Sequence, residues 1–332
     1  MFAYVIRRLF IMIPTLLAIS FLIFVIIQAP PGDYLSTVIA ECQSRGESGC
    51  QDKMTFLRDQ FHLGEPFIKQ YGYWVWGLLQ GDLGYSFEYQ LPVSQVVGDR
   101  LWLTMIVAFS TVLFTWIVAF PIGVYSATHQ YRLSDYAVTF FGMLGLAVPS
   151  FLLALVLLYL ANVYLGISIG GLMDPQYIDQ PWSGGKLHSI LQHLLIPTLV
   201  IGSSGTAAMI RRLRANLLDE LHKQYVVTGR AKGLPPGRLL LKYPLRMSLN
   251  PFIADIGSLL PELVSGAVIV SQVMALPTTG PMLLQALRSQ DMYLAGSFLM
   301  FLAVLTVIGV LLSDLALAAL DPRIRLGGGA TK

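Results

Sequence analysis

Asp255 and Glu262 stand seven residues apart inside an apolar stretch, and Ser258 and Ser265 repeat that interval beside them. On a helix seven residues make about two turns, so both carboxylates and both hydroxyls share one face. An acid at mid-bilayer costs about 2.5–3.5 kcal/mol or more, so such groups face a cavity or a partner. Two readings are open. The four residues line a path and accept hydrogen bonds from a passing solute, or they make structural hydrogen bonds to a neighbouring subunit or to Ser and Tyr groups of this chain. Asp314 is a third acid at membrane depth, near a span end.

Other chemistries find less support. The histidines (His62, His129, His188, His193, His222) all lie in or near loops or span ends, so no Ser/His set and no Asp/Asp set sits within the spans of an intramembrane protease. No lysine follows a Gly-x-x-x-x-Gly pattern, which removes a nucleotide-binding loop. No catalytic residue and no metal site is assigned.

The elements that must position these residues follow from composition. Of 332 residues 55% are apolar and 12% charged, against about 25% charged in a soluble domain. The fold class is an all-α polytopic membrane protein, because a bilayer-spanning chain of long apolar runs satisfies its backbone only as helices. Six spans are expected at about Leu9–Ile27, Leu101–Ser126, Tyr136–Ala161 (with Pro149), Ile190–Ile210, Phe252–Val270 and Leu294–Leu317, against a requirement of roughly 20 residues each. Arg7 and Arg8 precede the first, which reads as an uncleaved signal anchor because Gln28-Ala29-Pro30-Pro31-Gly32-Asp33 is no small-x-small cleavage site. The domain division is 1–28 (first span), 29–100 (polar excursion) and 101–332 (five spans with a polar insert at 211–251).

Within the excursion, Asp52 to Gln80 has helical spacing, interrupted at Gly64-Glu65-Pro66. Tyr71, Tyr73, Trp74 and Trp76 suit a membrane–water interface, and they suit the packing of a small extramembrane domain equally well. Gly202, Ser203, Ser204 and Gly205 permit close helix packing in the fourth span. Ser271 to Tyr293, with Pro277, Gly280 and Pro281, reads as a gate segment or a plain loop.

Six spans put both termini on one side. Arg7, Arg8, Arg132, nine residues of the insert, Arg323, Arg325 and Lys332 fall on that side, against Arg45, Lys53, Arg58, Lys69, Arg100, Lys186 and Arg288 on the other. The excess marks the first side as cytoplasmic. Cys42 and Cys50 then lie outside, with seven residues between them in a Gly/Ser loop. They form a disulfide there or remain two unpaired thiols. A metal site has no third or fourth ligand nearby.

The insert holds Arg211, Arg212, Arg214, Lys223, Arg230, Lys232, Arg238, Lys242 and Arg246. Leu213, Leu217, Leu221, Tyr225, Gly229 and Gly233 are four apart, one row on a continuous helix that ends in two glycines, as if a neighbouring backbone must come close. Pro235-Pro236-Gly237 is expected to end that helix. The charges by themselves also suit lipid headgroups and the positive-inside bias.

The run Tyr225-Val226-Val227-Thr228-Gly229-Arg230-Ala231-Lys232-Gly233-Leu234, followed by Leu245-Arg246 and Pro251, resembles the cytoplasmic coupling loop of ABC importer permeases of the dipeptide/oligopeptide family. Pro31-Gly32-Asp33, Gly81-Asp82-Leu83-Gly84, Arg100 with Thr104, Pro149-Ser150-Phe151 and Leu320-Asp321-Pro322-Arg323 extend the likeness over nearly the whole chain. Gly229, Tyr243-Pro244, Ser271 and Pro277-Thr278-Thr279-Gly280 depart from the usual pattern.

The resemblance implies a permease subunit in the bacterial inner membrane with both termini inside. Its partners would be a second, homologous permease subunit, two ATP-binding subunits, a periplasmic substrate-binding protein and membrane lipid, with no nucleic acid. It implies no cofactor on this chain, ATP and Mg on partner subunits, and ATPase coupling through Tyr225, Thr228, Gly229, Arg230, Ala231, Lys232, Gly233 and Leu234. Short peptides are the implied cargo. Similar machinery imports oligosaccharides, opines or nickel chelates, and the departures at Ser271 and Pro277 to Gly280 favour oligosaccharides over the others. An ion-coupled secondary transporter is a distant alternative, since it calls for inverted repeats and paired intramembrane charges. No repeat is visible, and one acidic pair is present.

Overall fold

Runs of apolar residues without backbone-breaking sequence become long helices, because a helix satisfies every interior N–H and C=O within its own segment. The computed structural model describes residues 2–29, 44, 55, 64–165, 170–177, 180–255 and 267–320. The described helices are α1 (Phe2–Gln28), α2 (Phe67–Leu79), α3 (Val93–Thr128), α4 (Leu133–Ala147), α5 (Ser150–Leu160), α6 (Gly184–Leu221), α7 (Gln224–Ala231), α8 (Pro236–Lys242), α9 (Pro244–Ser248), α10 (Asn250–Ala254), α11 (Val268–Val273), α12 (Thr279–Arg288) and α13 (Met292–Leu320). A short antiparallel pair, β1 (Tyr85–Ser86) and β2 (Leu91–Pro92), precedes α3. Four of these helices are long and apolar enough to cross a membrane, and a fifth crossing results if α4 and α5 count as one.

Helix ends differ from the sequence expectation for local reasons. Helix α3 begins at Val93, not Leu101, because Val93 N–H bonds Gly84 O at 3.0 Å and Val93, Val96 and Val97 are buried at helical spacing. Helix α6 begins at Gly184, where the Ser183 hydroxyl accepts the Lys186 N–H at 3.2 Å as an N-cap. It runs on to Leu221, so the first part of the insert is helical, as the spacing of Leu213, Leu217 and Leu221 leads one to expect. Loop 271–293 likewise contains α12.

The third expected span is not one helix. Helices α4 and α5 meet at a 97° bend. Pro149 offers no N–H to continue α4, and it forces Val148 into extended backbone, ψ 122°. The Pro149 carbonyl then starts α5 by accepting from Leu152 and Leu153 at 3.0 and 3.1 Å.

Contacts divide the chain into two units, Met1–Trp102 with Pro281–Ile308 and Leu103–Gly280 with Gly309–Lys332. In the first, Phe24 is fully buried against Phe67, Tyr71 and Trp74 of α2. The β1–β2 hairpin is fastened at Asp291. That carboxylate accepts from the Ser86 hydroxyl at 2.6 Å and Glu88 N–H at 3.1 Å, and it caps α13 through Leu294 N–H at 3.1 Å. Gly84 lies so close to Tyr293 that a Cβ would sit 2.4 Å from the ring, and its φ of +82° suits glycine.

In the second unit α3 and α6 run parallel. Ser110 bonds Thr198 at 2.9 Å, Gly202 abuts Phe114, and Gly123 abuts Leu213, all in the same chain sense. The bent pair α4–α5 therefore returns the chain between two parallel crossings. Gly202 and Gly205 meet Phe114 and Thr115, so the small-residue cluster does allow the close approach expected of it. A core of Val107, Ala154, Ile190, Leu194, Val200, Val270, Met274 and Leu276 fills this unit.

Candidate functional site

The basic insert folds as a succession of helical pieces, from the end of α6 to the start of α10, rather than as one rod. Leu213 and Leu217 of α6 are fully buried, and Leu217 packs with Ala127 and Leu245. At His222-Lys223 the helix stops, and α7 starts afresh at Gln224. The expected row from Leu213 to Gly233 is thus broken. Helix α7 buries Val226 and Gly229, while Tyr225, Thr228, Arg230, Ala231, Lys232 and Gly233 are exposed and Leu234 is half-buried. The reason is the new start: Lys223 takes extended backbone, ψ 149°, so the four-residue register of α6 does not carry into α7.

The two glycines have different roles. A Cβ on Gly229 would meet Leu239 of α8 at 2.6 Å, so the close approach there is to this chain's own side chain. Gly233 has open space around it and φ +77°. It ends α7: its N–H returns to Arg230 O at 3.0 Å, and Leu234 N–H to Gly229 O at 3.2 Å. The prolines do not stop α7 as expected; Pro236 is the first residue of α8, where a missing N–H costs nothing. The Tyr225 hydroxyl donates to Glu220 across the α6–α7 break. Partial burial, then that bond, holds the phenol above its ordinary range.

Two arginines just before the break are used differently. Arg214 Nε and Nη2 reach the two oxygens of Asp135 at 2.9 and 2.8 Å. Asp135 also accepts from the Ser126 hydroxyl and from Tyr131 N–H at 3.1 Å, so a buried carboxylate ties the end of α3, the start of α4 and α6 together. Arg212 instead pairs with Asp255 at the end of α10 and lies 5.2 Å from the Phe252 ring. Both partners of that pair remain about half exposed, 45% and 42%.

Arg212, Phe252 and Asp255 border a cavity of about 500 Å³. Helix α3 lines it with Thr104, Val107, Ala108, Thr111, Val112, Thr115 and Trp116, and α6 with Ile201, Ser204, Gly205, Ala208 and Met209. Steps of three and four residues keep each set on one face. Ser271 and Thr278 add hydroxyls, and the buried Thr278 hydroxyl has no partner among the described residues. Arg212 and Asp255 are the charged groups of the described lining. Small apolar and hydroxyl side chains give this wall adaptable hydrogen bonding without a fixed net charge.

Of the acidic face proposed from spacing, Asp255 sits in a turn after a five-residue helix and lines the cavity. Ser258, Glu262 and Ser265 lie outside the described residues, as do Cys42 and Cys50. Arg212 as the partner of Asp255 is not visible in sequence, since 43 positions separate them; the Asp135–Arg214 clamp is hidden for the same reason. Asp291 had a usable signal, an acid directly before an apolar helical run, which is an N-cap pattern.

Asp174, Ser189 and His193 do come together, a set that sequence order obscures. The Ser189 hydroxyl donates to Asp174 at 2.8 Å, and His193 Nδ1 bonds the Ser189 carbonyl at 2.8 Å. No hydrogen bond joins the Ser189 hydroxyl to His193 among the described residues, so the geometry is that of a loop fastening rather than an activated nucleophile.

Residues 119–326 match the family described as binding-protein-dependent transport system inner membrane component, and residues 1–108 match the N-terminal part described for such membrane components. The oligopeptide transport system permease protein AppB of Bacillus subtilis is 32% identical over 98% of this chain and 99% of its own. A putative peptide permease protein of Brucella ovis is 30% identical over 98% of this chain and all of its own. The dipeptide transport system permease protein DppB of Escherichia coli is 27% identical over 98% of this chain and 99% of its own. With the matched family covering α6, the whole basic insert and most of the chain, this chain belongs to the inner-membrane permease components of binding-protein-dependent ABC transport systems.

Proposed function

We propose that this chain forms half of the translocation path of an ATP-driven importer for short oligopeptides. The observation that carries this is similarity along essentially the whole chain to permeases named for oligopeptide and dipeptide transport. The partners in this reading are a second permease subunit, two ATPases holding ATP and Mg, and a periplasmic binding protein that hands over the peptide.

The chain crosses the inner membrane six times with both termini in the cytoplasm. The described crossings supply up to five, and the remaining one is the span expected at about Phe252–Val270, part of which lies outside the described residues. The division into 1–28, 29–100 and 101–332 follows that path. Asp255, with Ser258, Glu262 and Ser265, belongs to the wall of the path, in keeping with the cavity that Asp255 borders. Tyr225 to Leu234 receives the ATPases' motion. Support comes from its exposed Arg230, Lys232 and Gly233 and from its position a short turn after α6, a wall of the same cavity.

Reconstitution with the co-encoded ATPases and binding protein tests this. ATP-dependent uptake of labelled di- and tripeptides is expected. Uptake of oligosaccharides with none of peptides would overturn the peptide assignment.

A further inference from the structure

We infer that α2 is not part of a water-surrounded loop domain but is seated in the bilayer, with Ile68, Trp76 and Leu79 facing lipid chains. The argument begins with depth. Arg8–Gln28 is 21 residues of apolar helix, about 30 Å and so about the hydrocarbon thickness. Helix α2 is fastened along the last turns of that span. Gln70 accepts from Gln28 at 2.7 Å at the span end. Phe67, Tyr71 and Trp74 pack on Phe24, one turn further in. The Tyr71 hydroxyl reaches the Ser20 hydroxyl at 2.8 Å, about 12 Å from the span end. A helix bound at those heights lies beside the apolar span, in the leaflet that holds the end of α1, rather than above it.

The faces of α2 agree. At about 100° per residue, Phe67, Tyr71, Trp74 and Leu78 form one arc, directed at α1. Ile68, Trp76 and Leu79 form the adjoining arc, within about 80° of one another. They are 67%, 63% and 76% exposed. Lys69, which pairs with Glu65 at 3.2 Å, and Tyr73 come next, on the polar side. Leu22 and Ile26, on the face of α1 turned away from α2, are exposed at the same level. The unpartnered apolar face of α2 therefore lies at the depth of a membrane span's own exposed apolar residues. Its occupant is the acyl-chain region, with the Trp76 ring towards the headgroups and Lys69 among them.

This inference rests on α1 crossing the membrane and not on the transported solute. The test uses the full chain with its partner subunits in phosphatidylcholine/phosphatidylglycerol vesicles. Nitroxide labels are placed at Ile68→Cys, Leu79→Cys, Lys69→Cys and Ile26→Cys in a Cys42→Ser/Cys50→Ser background. Labels at 26, 68 and 79 are expected to collide severalfold more with oxygen than with a water-soluble nickel chelate, and the label at 69 to show the reverse. Nickel-dominated collisions at 68 and 79, with 26 still oxygen-dominated, would overturn the α2 assignment alone. Low collision rates with both reagents at 68 and 79 would assign the face to a partner protein and overturn it too. Nickel access at 26 would sink the crossing of α1 itself. Should the cysteine variants fold poorly, quenching by brominated lipid in the unlabelled protein decides. Trp76→Phe is expected to lose a quenchable component, and unchanged quenching overturns the proposal.

Discussion

Arg214 grips Asp135 with two near-parallel hydrogen bonds, 2.9 and 2.8 Å, across 79 residues of sequence. The carboxylate is buried and satisfied by Ser126 and Tyr131 as well. Removing the arginine leaves a buried charge unpaired, at a cost of about 3–5 kcal/mol. Arg214→Ala should lower the melting temperature of the detergent-purified complex clearly. Arg214→Lys should restore little, since an ammonium makes no fork. An Arg214→Ala protein as stable as wild type would refute the clamp.

The Arg212–Asp255 pair should behave in the opposite way. Both side chains are half exposed, and such pairs contribute about 0–1 kcal/mol. Its position at the cavity border makes transport the sensitive readout. Arg212→Asp and Asp255→Arg should each reduce uptake with little change in melting temperature, and the double exchange should recover most of it. If the exchange stays as impaired as the worse single variant, the pairing is not what matters.

Gly233 is held at φ +77° in open space, so conformation rather than bulk limits what it tolerates. Gly233→Ala should cost about 1 kcal/mol and fray the α7–α8 turn, whereas Gly233→Asn, which visits this region more readily, should cost less. Hydrogen exchange at Leu234 reports it. Equal protection in both variants would remove the argument.

Arg230 and Lys232 are exposed on the same segment. Charge reversal of both should weaken co-purification of the ATPases while leaving the melting temperature within about 0.5 kcal/mol equivalent. Unaffected co-purification would show that these side chains are not the contact.

Burial raises the Asp291 carboxyl above its ordinary range, against the lowering effect of Ser86 and the N–H donors of Leu294, Glu88 and Phe87. A raised folded-state value means that the group's stabilisation is complete below the unfolded pKa and is lost as pH rises through the folded one. The stability of wild type relative to Asp291→Asn should therefore fall as pH rises above the ordinary carboxylate range. The constant offset reports the lost acceptor; the slope reports titration. A flat or rising difference would contradict the burial effect.

Local chemistry carried much of this protein in plain sight. The presence of α1 and α13 as long helices follows from their apolar runs, and the membrane class from composition, because in lipid the backbone has few alternatives to helix. The closeness of α3 and α6 is written in Gly202 and Gly205, and the family in the Tyr225 to Leu234 run.

Direction and pairing were not written locally. Pro149 announces an interruption, but the 97° bend depends on what α4 and α5 pack against. The glycine row of the insert reads as one helix face until the stop at His222-Lys223 separates Leu213 and Leu217 from Gly229 and Gly233. Arg212 and Arg214 look alike in a basic run, yet one meets a buried acid and the other a cavity wall. Sequence by itself determined that the long apolar segments are helical, since that depends on neighbours within a turn or two. Which charge meets which depends on groups tens of residues apart, and only the tertiary structure, by deciding what water is excluded from, settles that.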